Sequence, residues 1–572
     1  MKKGKRLYSV IALLAGVGML FTACQPQIVE VEKEVIVEKV VEKEIEVEKE
    51  VVVEKEVKVE VEKIIEVEKI VEVQVEVEKI VEVVVEQGAD ITENIGTMTL
   101  IMDVPQLDPH KMLSVDTIVG FNAYEWLVYS DPTEGLVPML ATSWESNATG
   151  DEWTFHLREG VTFHDGTPFT AEAVKFSYQR TIDLGMVSYQ IDAIDEMEVI
   201  DDHTIRFGLS EPRNLPTIVS SFYGLYIANP NLADKPEGWY EEGNDSGTGP
   251  YYVESYDPQR VVLSQYKDYW GGWEEGQFTT VVFESVADAA VREQMIRSGE
   301  ADIIAKLPFE NHAALEATGD VKVITSNASV GGFNLFNLFQ LDLPPFDDIR
   351  VRQAISYAFP FGDVQAFSFS GLSRVARSIV PSSFLPPGDL STYSYDLEKA
   401  QSLLEAAGVE EGTEIKLALR AGDEEVKKIS LLWQAELAKI GIDMTVTEVA
   451  SEWGVMFNTD SEYHVLAKTW SPGYPSPYEW LIFYDSRNTF APYTGFVRPE
   501  VDALLDQALS TEAVDKVGSD RIYRQVAQLL HDEAIMLPVM DFPFDYQIRS
   551  DISGFRGHPF TWTGRWYEYS RE

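Results

Sequence analysis

Few residues in this chain are of a type and spacing that could break a bond. His164-Asp165 is the most tempting imidazole–carboxylate pair, but Gly166 follows it, and Asp-Gly is a tight-turn dipeptide, so a hairpin explains the pair without catalysis. The 8 histidines are scattered. The sequence holds no Gly-x-Ser-x-Gly elbow, His-Glu-x-x-His pair, Walker loop or EF-hand loop. Gly247-Thr-Gly-Pro is glycine-rich, yet no lysine follows it and a strand pattern does, which excludes a phosphate loop. His464, near the aromatic loop, could ligate a metal chelate. Cys24 is the only cysteine, so neither a thiolate metal cluster nor a redox pair can be built within the chain. An enzyme needs a nucleophile, a tuned acid or base, or a bound metal. The reading is a non-enzyme without cofactor or metal.

Binding chemistry is better represented. Thr469 to Trp480, "TWSPGYPSPYEW", is dense in aromatics and prolines. Such a loop has few conformations to lose and offers flat apolar faces, with Trp470 and Tyr474 as stacking surfaces around Gly473. Its competing reading is a proline-stiffened crossover whose aromatics pack inward. A formal net charge of -49 excludes nucleic acid and anionic membrane surfaces as attractive partners, and suits an exported protein that must stay soluble.

The elements that position this loop read as α/β. In Trp153 to Arg180, Trp153, Phe155 and Leu157 alternate with polar residues as a half-buried strand. Asp165-Gly166 turns the chain, Thr170 is placed to cap a helix, and Ala171, Val174, Tyr178 and Ile182 give that helix its apolar face. Leu100 to Val104 is expected as an early strand, broken by Asp108-Pro109. A helix from Asp288 is expected to turn Val291 and Met295 inward, and one after Pro345 to start at an Asp347 cap. Helix-then-strand patterns follow from Asp396 and from Val426. With 572 residues the chain outgrows a single core, so at least two lobes are expected.

The N-terminus precedes all of this. Lys2, Lys3, Lys5 and Arg6 lead into an apolar run, Leu7 to Phe21, too short to span a bilayer comfortably and readable as a signal peptide over residues 1–23. Thr22-Ala23-Cys24 resembles the lipobox of bacterial lipoproteins, which implies acylation at Cys24 and stable membrane attachment. Phe21 departs from the leucine preferred there. Ile28 to Glu86 is a Val, Ile, Glu and Lys tract whose alternation favours β while its Glu and Lys favour helix, including a coiled coil. Residues 24–95 are read as a stalk in either form, whose roughly 60-residue tract would reach about 90 Å as a helix or about 200 Å extended.

The strand, turn and helix of Trp153 to Arg180, the "LDP" turn at Leu107, Tyr124 to Leu127, "PMLATSWE" from Pro138, "GTGPYYVESY" from Gly247 and the Trp470 loop together resemble the family 5 extracellular solute-binding proteins. These are peptide, nickel and oligosaccharide receptors of ABC importers. The resemblance implies a two-lobed periplasmic-binding-protein-like α/β fold of the large peptide-receptor class. Residues 96–327 would form lobe 1, 328–540 lobe 2, and 541–572 would return to lobe 1, with hinge crossings near Ala328 and Met540. It implies main-chain contacts to an extended ligand from Leu113, Ser114 and Val115, and further contacts from Tyr189, Trp470, Gly473 and Tyr474. In peptide receptors of the family an aspartate of a Trp-x-x-Asp-Tyr stretch pairs with the peptide's α-amine. That position here is Gly473, which weakens the peptide assignment and leaves an oligopeptide or a neutral oligosaccharide as the expected solute. The expected partners are that solute, an ABC permease with its ATPase subunits, and the membrane through a lipid anchor on the outer face of the cytoplasmic membrane. A stalked adhesive or structural surface protein is the alternative.

Overall fold

The computed structural model describes residues 95–100, 107–112, 117–325, 334–386, 388–458, 460–488, 493–541, 543, 545–556 and 564–572. Cys24, the Val/Glu/Lys tract, Leu113, Ser114, Val115 and Ala328 lie outside them.

The first lobe begins at β1 (Ile95–Leu100), so the early strand starts five residues before the position expected from the sequence. A four-stranded antiparallel sheet follows, made by β2 (Ala141–Ser146), β3 (Glu152–Leu157), β4 (Ile194–Asp201) and β5 (Thr204–Leu209) in the order β2-β3-β5-β4. Period-two burial holds along β3, where Trp153, Phe155 and Leu157 face the core and Phe155 meets Phe207 edge to face at 5.6 Å. Helix α1 (Ala171–Leu184) covers this sheet through Ala171, Val174 and Tyr178. Thr170 occupies its cap position in extended backbone but makes no side-chain capping bond, and Gly185 closes it at φ 75°.

A larger sheet carries the rest of this lobe. Its strands β6 (Tyr251–Asp257), β7 (Arg260–Gln265), β8 (Thr280–Ser285), β9 (Ile303–Ala305) and β10 (Val321–Thr325) join β1 and the late strand β17 (Asp545–Arg549). The order is β10-β17-β9-β1-β8-β7-β6, with β1 parallel to both β8 and β9. Helix α2 (Ala289–Ser298) departs in part from the expected face: Met295 is half-buried against the core, but Val291 is 48% exposed and the buried positions are Arg292 and Ile296. The Arg292 guanidinium donates to the carbonyls of Val286, Ala287 and Lys306 at 2.7–2.9 Å, so a hydrogen-bonded charge takes the inward position.

The second lobe is built on β11 (Asn334–Phe339), α3 (Ile349–Tyr357), β12 (Arg374–Val375), α4 (Leu397–Ala407), β13 (Thr413–Arg420), α5 (Glu424–Ala438), β14 (Ile442–Val449), β15 (Val465–Trp470), α6 (Pro499–Glu512), α7 (Lys516–Asp532) and β16 (Met536–Asp541). Asp348, not Asp347, caps α3, accepting the Arg350 N–H at 2.8 Å. Strands β13 and β14 pair in parallel and α5 makes their crossover, which parallel pairing requires. Helix α5 buries Val426, Ile429, Trp433 and Leu437 against the sheet β12-β16-β11-β15-β13-β14. Asp541 ends β16 in this sheet and Asp545 opens β17 in the other, so three residues carry the chain between them. The fold is therefore α/β and two-lobed, and loops from both lobes meet around Gly473.

Candidate binding site

The "LDP" turn is fixed from below by α1. Arg180 grips both carboxylate oxygens of Asp108 at 2.6 Å, and the His110 ring bonds the Tyr226 carbonyl at 3.0 Å. A bidentate guanidinium–carboxylate pair sets orientation as well as attraction. It holds the chain at Met112, immediately before Leu113, Ser114 and Val115. Nearby, Gly247 packs so closely on the Ala123 carbonyl that a Cβ would collide with it, and Thr248 donates to buried Glu125 at 2.9 Å. The glycine-rich motif is thus a packing device.

The aromatic loop leaves β15 at Trp470 and returns in the single helical turn Tyr478–Leu481. The Trp470 indole N–H closes the loop by donating to the Glu479 carbonyl at 2.8 Å. Two residues earlier on β15, buried Lys468 is ion-paired with Glu452 and lies over the rings of Trp453 at 4.1 Å and Trp470 at 5.5 Å. Burial pulls the Lys468 amine below its usual range, against the attraction of Glu452.

Lobe 1 meets this loop through the segment after β5. The Phe222 N–H donates to the Gly473 carbonyl at 3.2 Å, and the Tyr223 hydroxyl lies 3.2 Å from Ser471 Oγ. A Cβ at Gly473 would stand 2.6 Å from Ser221 Oγ and 2.7 Å from a Tyr223 ring carbon. Glycine is required here by close approach of the other lobe. Tyr474 enters the lobe 1 core beside Leu127, Ile218 and Leu225. Lys306, at the end of β9, holds a left-handed φ of 59°, a strained setting for a side chain, and interacts with Asp423 and Arg420 of lobe 2.

At the centre lies a carboxyl that the motifs did not single out. Glu479 is 0% exposed; its Oε2 accepts the Gly473 N–H at 2.7 Å, and its Oε1 has no hydrogen-bond partner among the described residues. Burial pushes its carboxyl up to about 8, against the Gly473 N–H and the Tyr474 hydroxyl, which favour the charged form. Glu479 in turn helps raise the hydroxyls of Tyr189 and Tyr474, after their own burial.

Of the residues expected from the sequence, Tyr189, Trp470, Gly473 and Tyr474 converge on this junction, with Tyr474 packed inward. His164 and Asp165 point to separate partners: the His164 ring to Asp245 and the Gly249 carbonyl, Asp165 to Thr167 and Asn229. Both His464 nitrogens bond backbone groups, the Lys416 N–H and the Pro344 carbonyl. No cluster of three or more metal-ligating side chains occurs among the described residues. Sequence reasoning missed Glu479, Ser221 and Tyr223. A lone acid between Tyr478 and Trp480 in a proline-stiffened run was the available signal for Glu479, whereas nothing local marks the lobe 1 segment.

Residues 135–491 match the family model for bacterial extracellular solute-binding proteins, family 5. The chain belongs to this family. It is similar to the dipeptide-binding protein of Escherichia coli, 25% identical over 464 residues that cover 74% of this chain and 84% of that one. It is also similar to heme-binding protein A of Haemophilus influenzae, 27% identical over 484 residues, covering 77% and 86%. Two solved structures share the fold. One is a dipeptide-binding protein of Pseudoalteromonas in complex with Met-Leu, with TM-score 0.75, 21% identity, and 84% and 100% of the two chains covered. The other is a periplasmic binding protein of Helicobacter pylori in complex with the peptide STSA, with TM-score 0.73, 22% identity, and coverage of 84% and 99%. As a family 5 member the chain is a substrate-binding receptor of an ABC importer. The family model describes extracellular solute-binding proteins, the relatives are named for the solutes they bind, and no helix among the described residues is long and apolar enough to cross a membrane.

Proposed function

We propose that this receptor captures a short peptide or peptide-like amine between its lobes, closes on it, and presents it to an ABC permease. One observation carries the reading: the buried, unpartnered Glu479 Oε1 lies beside Gly473, the position where a peptide receptor's aspartate would stand. Glu479 supplies from the adjacent helical turn the negative charge that Gly473 lacks. An ammonium brought against it would gain a charge-assisted hydrogen bond and draw the carboxyl back into its ionised form. The aromatic rings of Trp470, Tyr223 and Tyr189 wall the same junction, and the dipeptide-binding relatives agree with this solute class. Leu113, Ser114 and Val115 would add main-chain contacts along the ligand. Lobe movement would hinge at the two crossings between sheets, near Ala328 and Met540. Acylation at Cys24 would hold the receptor to the membrane, and the tract to Glu86 would give it reach.

Ligand-induced thermal stabilisation tests the solute. Peptides of two to four residues and neutral oligosaccharides are added to the purified chain, and a ligand at a hundredfold excess over its Kd adds about 2.7 kcal/mol. Stabilisation by peptides is expected; stabilisation by oligosaccharides alone would overturn the reading. For the anchor, Cys24→Ser is expected to move the protein from the membrane to the soluble fraction.

A further inference from the structure

A second buried acid lies behind the aromatic loop and takes no direct part in meeting an amine. Glu512 is the last residue of α6. Two circumstances disfavour it there: burial penalises a carboxylate, and a negative charge at a helix C-terminus opposes the helix dipole. Burial raises the Glu512 carboxyl above its usual range, with Asp520 adding to the rise, while Lys516, Ser476 and Tyr523 favour its charged form. The half-exposed Lys516 amine stands 4.0 Å away and is shared with Asp520 at 2.7 Å, so it offsets little of that cost.

Glu512 holds the arch of the loop. Its Oε2 accepts the Ser476 hydroxyl and the Tyr523 hydroxyl of α7, each at 2.8 Å. Ser476 stands between Pro475 and Pro477, which have no N–H, so it is the one residue of the arch whose backbone can donate. That N–H goes to the Tyr474 carbonyl at 2.8 Å, and the Ser476 carbonyl accepts the Glu479 N–H at 3.2 Å. Ser476 Oγ also accepts the Tyr478 N–H at 3.3 Å. These bonds to the backbone set the shape of the arch from Tyr474 to Glu479. The Glu512 bond ties that shape to α6 and α7.

We propose that Glu512 is a positioning residue for solute capture: through Ser476 it fixes the arch that presents Glu479 to the amine. The proposal rests on the reading of Glu479 as the amine's partner. Glu479 is gripped at both ends, its carboxyl by the Gly473 N–H and its own N–H by the Ser476 carbonyl. A Ser476 released from Glu512 loosens the second grip, admits water to the Glu479 carboxyl and lets it ionise at its ordinary pH.

Calorimetric titration of the full chain with Ala-Ala near pH 6.5, in two buffers of different ionisation enthalpy, reads affinity and proton release together. Ser476→Ala and Glu512→Ala are each expected to weaken Ala-Ala about 10- to 100-fold. Both are expected to abolish most of the proton release, because a hydrated Glu479 is already ionised at that pH. The double variant is expected to bind within about twofold of the weaker single variant, since the two residues act as one unit. Glu512→Gln keeps an oxygen that can accept both hydroxyls and is expected to bind within about threefold of wild type. Wild-type affinity in Ser476→Ala, additive losses in the double variant, or weakened binding that still releases about one proton per peptide would each overturn the proposal. If Glu512→Ala fails to fold, Ser476→Ala decides alone, because it leaves the bond between Glu512 and Tyr523 in place. If wild type binds no peptide, the amine reading fails by itself, and ligand-free melts from pH 5 to pH 9 decide the positioning. The pH-dependent gap between wild type and Glu479→Gln is then expected to shrink when Ser476→Ala is added to both, and an undiminished gap overturns the proposal.

Discussion

Glu479→Gln is the most informative single substitution. The variant keeps the side chain's size and its acceptor for the Gly473 N–H, and removes only the ability to ionise. In the folded chain the carboxyl titrates near 8 against an ordinary 4.5, so between those values the folded state holds a proton that the unfolded state has released. Stability contributed by the wild-type residue therefore falls as pH rises through this window. A shift of about 3.5 units at about 1.36 kcal/mol each amounts to roughly 4 to 5 kcal/mol by pH 8, and to under about 1 kcal/mol at pH 5. Glutamine carries none of this dependence. Thermal melts of ligand-free wild type and Glu479→Gln from pH 5 to pH 9 are expected to coincide at the acid end. They then diverge, the variant becoming more stable by several degrees at the alkaline end, since a body of this size shifts by about 1 °C per kcal/mol. A difference that stays constant with pH, or a wild type that gains on the variant as pH rises, would show that Glu479 is not a buried acid held in its neutral form.

Gly473→Ala would place a methyl against Ser221 and Tyr223, and overpacking of this kind costs about 1 to 3 kcal/mol. Because the clash lies between lobes, peptide affinity is expected to fall about 5- to 100-fold while far-UV circular dichroism is unchanged. Glu452→Gln would leave Lys468 buried without its counter-charge between two tryptophans, and a loss of about 3 to 5 kcal/mol in denaturant unfolding is expected.

Much of the scaffold was legible because its signals are local. Alternation at Trp153, Phe155 and Leu157 and the Asp396 cap each act within a few residues, and each lies where the pattern placed it. One error arises where a tertiary contact overrides a local rule. Arg292 takes the inward face of α2 because three carbonyls wait for it; the one-residue shift of the α3 cap from Asp347 to Asp348 is a local error between adjacent aspartates. The site divides the same way. The aromatic loop announced itself by composition, but Ser221 and Phe222 reach Gly473 from about 250 residues away, and no sequence period encodes that meeting. Glu479 was hidden for a different reason: in an acidic chain one more glutamate draws no notice until its burial is seen.

The central claim is that a peptide-class amine is taken between the lobes against Glu479. Titration calorimetry near pH 6.5, repeated in two buffers of different ionisation enthalpy, tests it most directly with a dipeptide and its N-acetylated form. The account predicts binding of the free amine with release of about one proton per peptide, because the Glu479 carboxyl must ionise to meet the ammonium. It also predicts loss of that release in Glu479→Gln and much weaker binding of the acetylated peptide. Equal affinity for the two peptides with no proton released would contradict it.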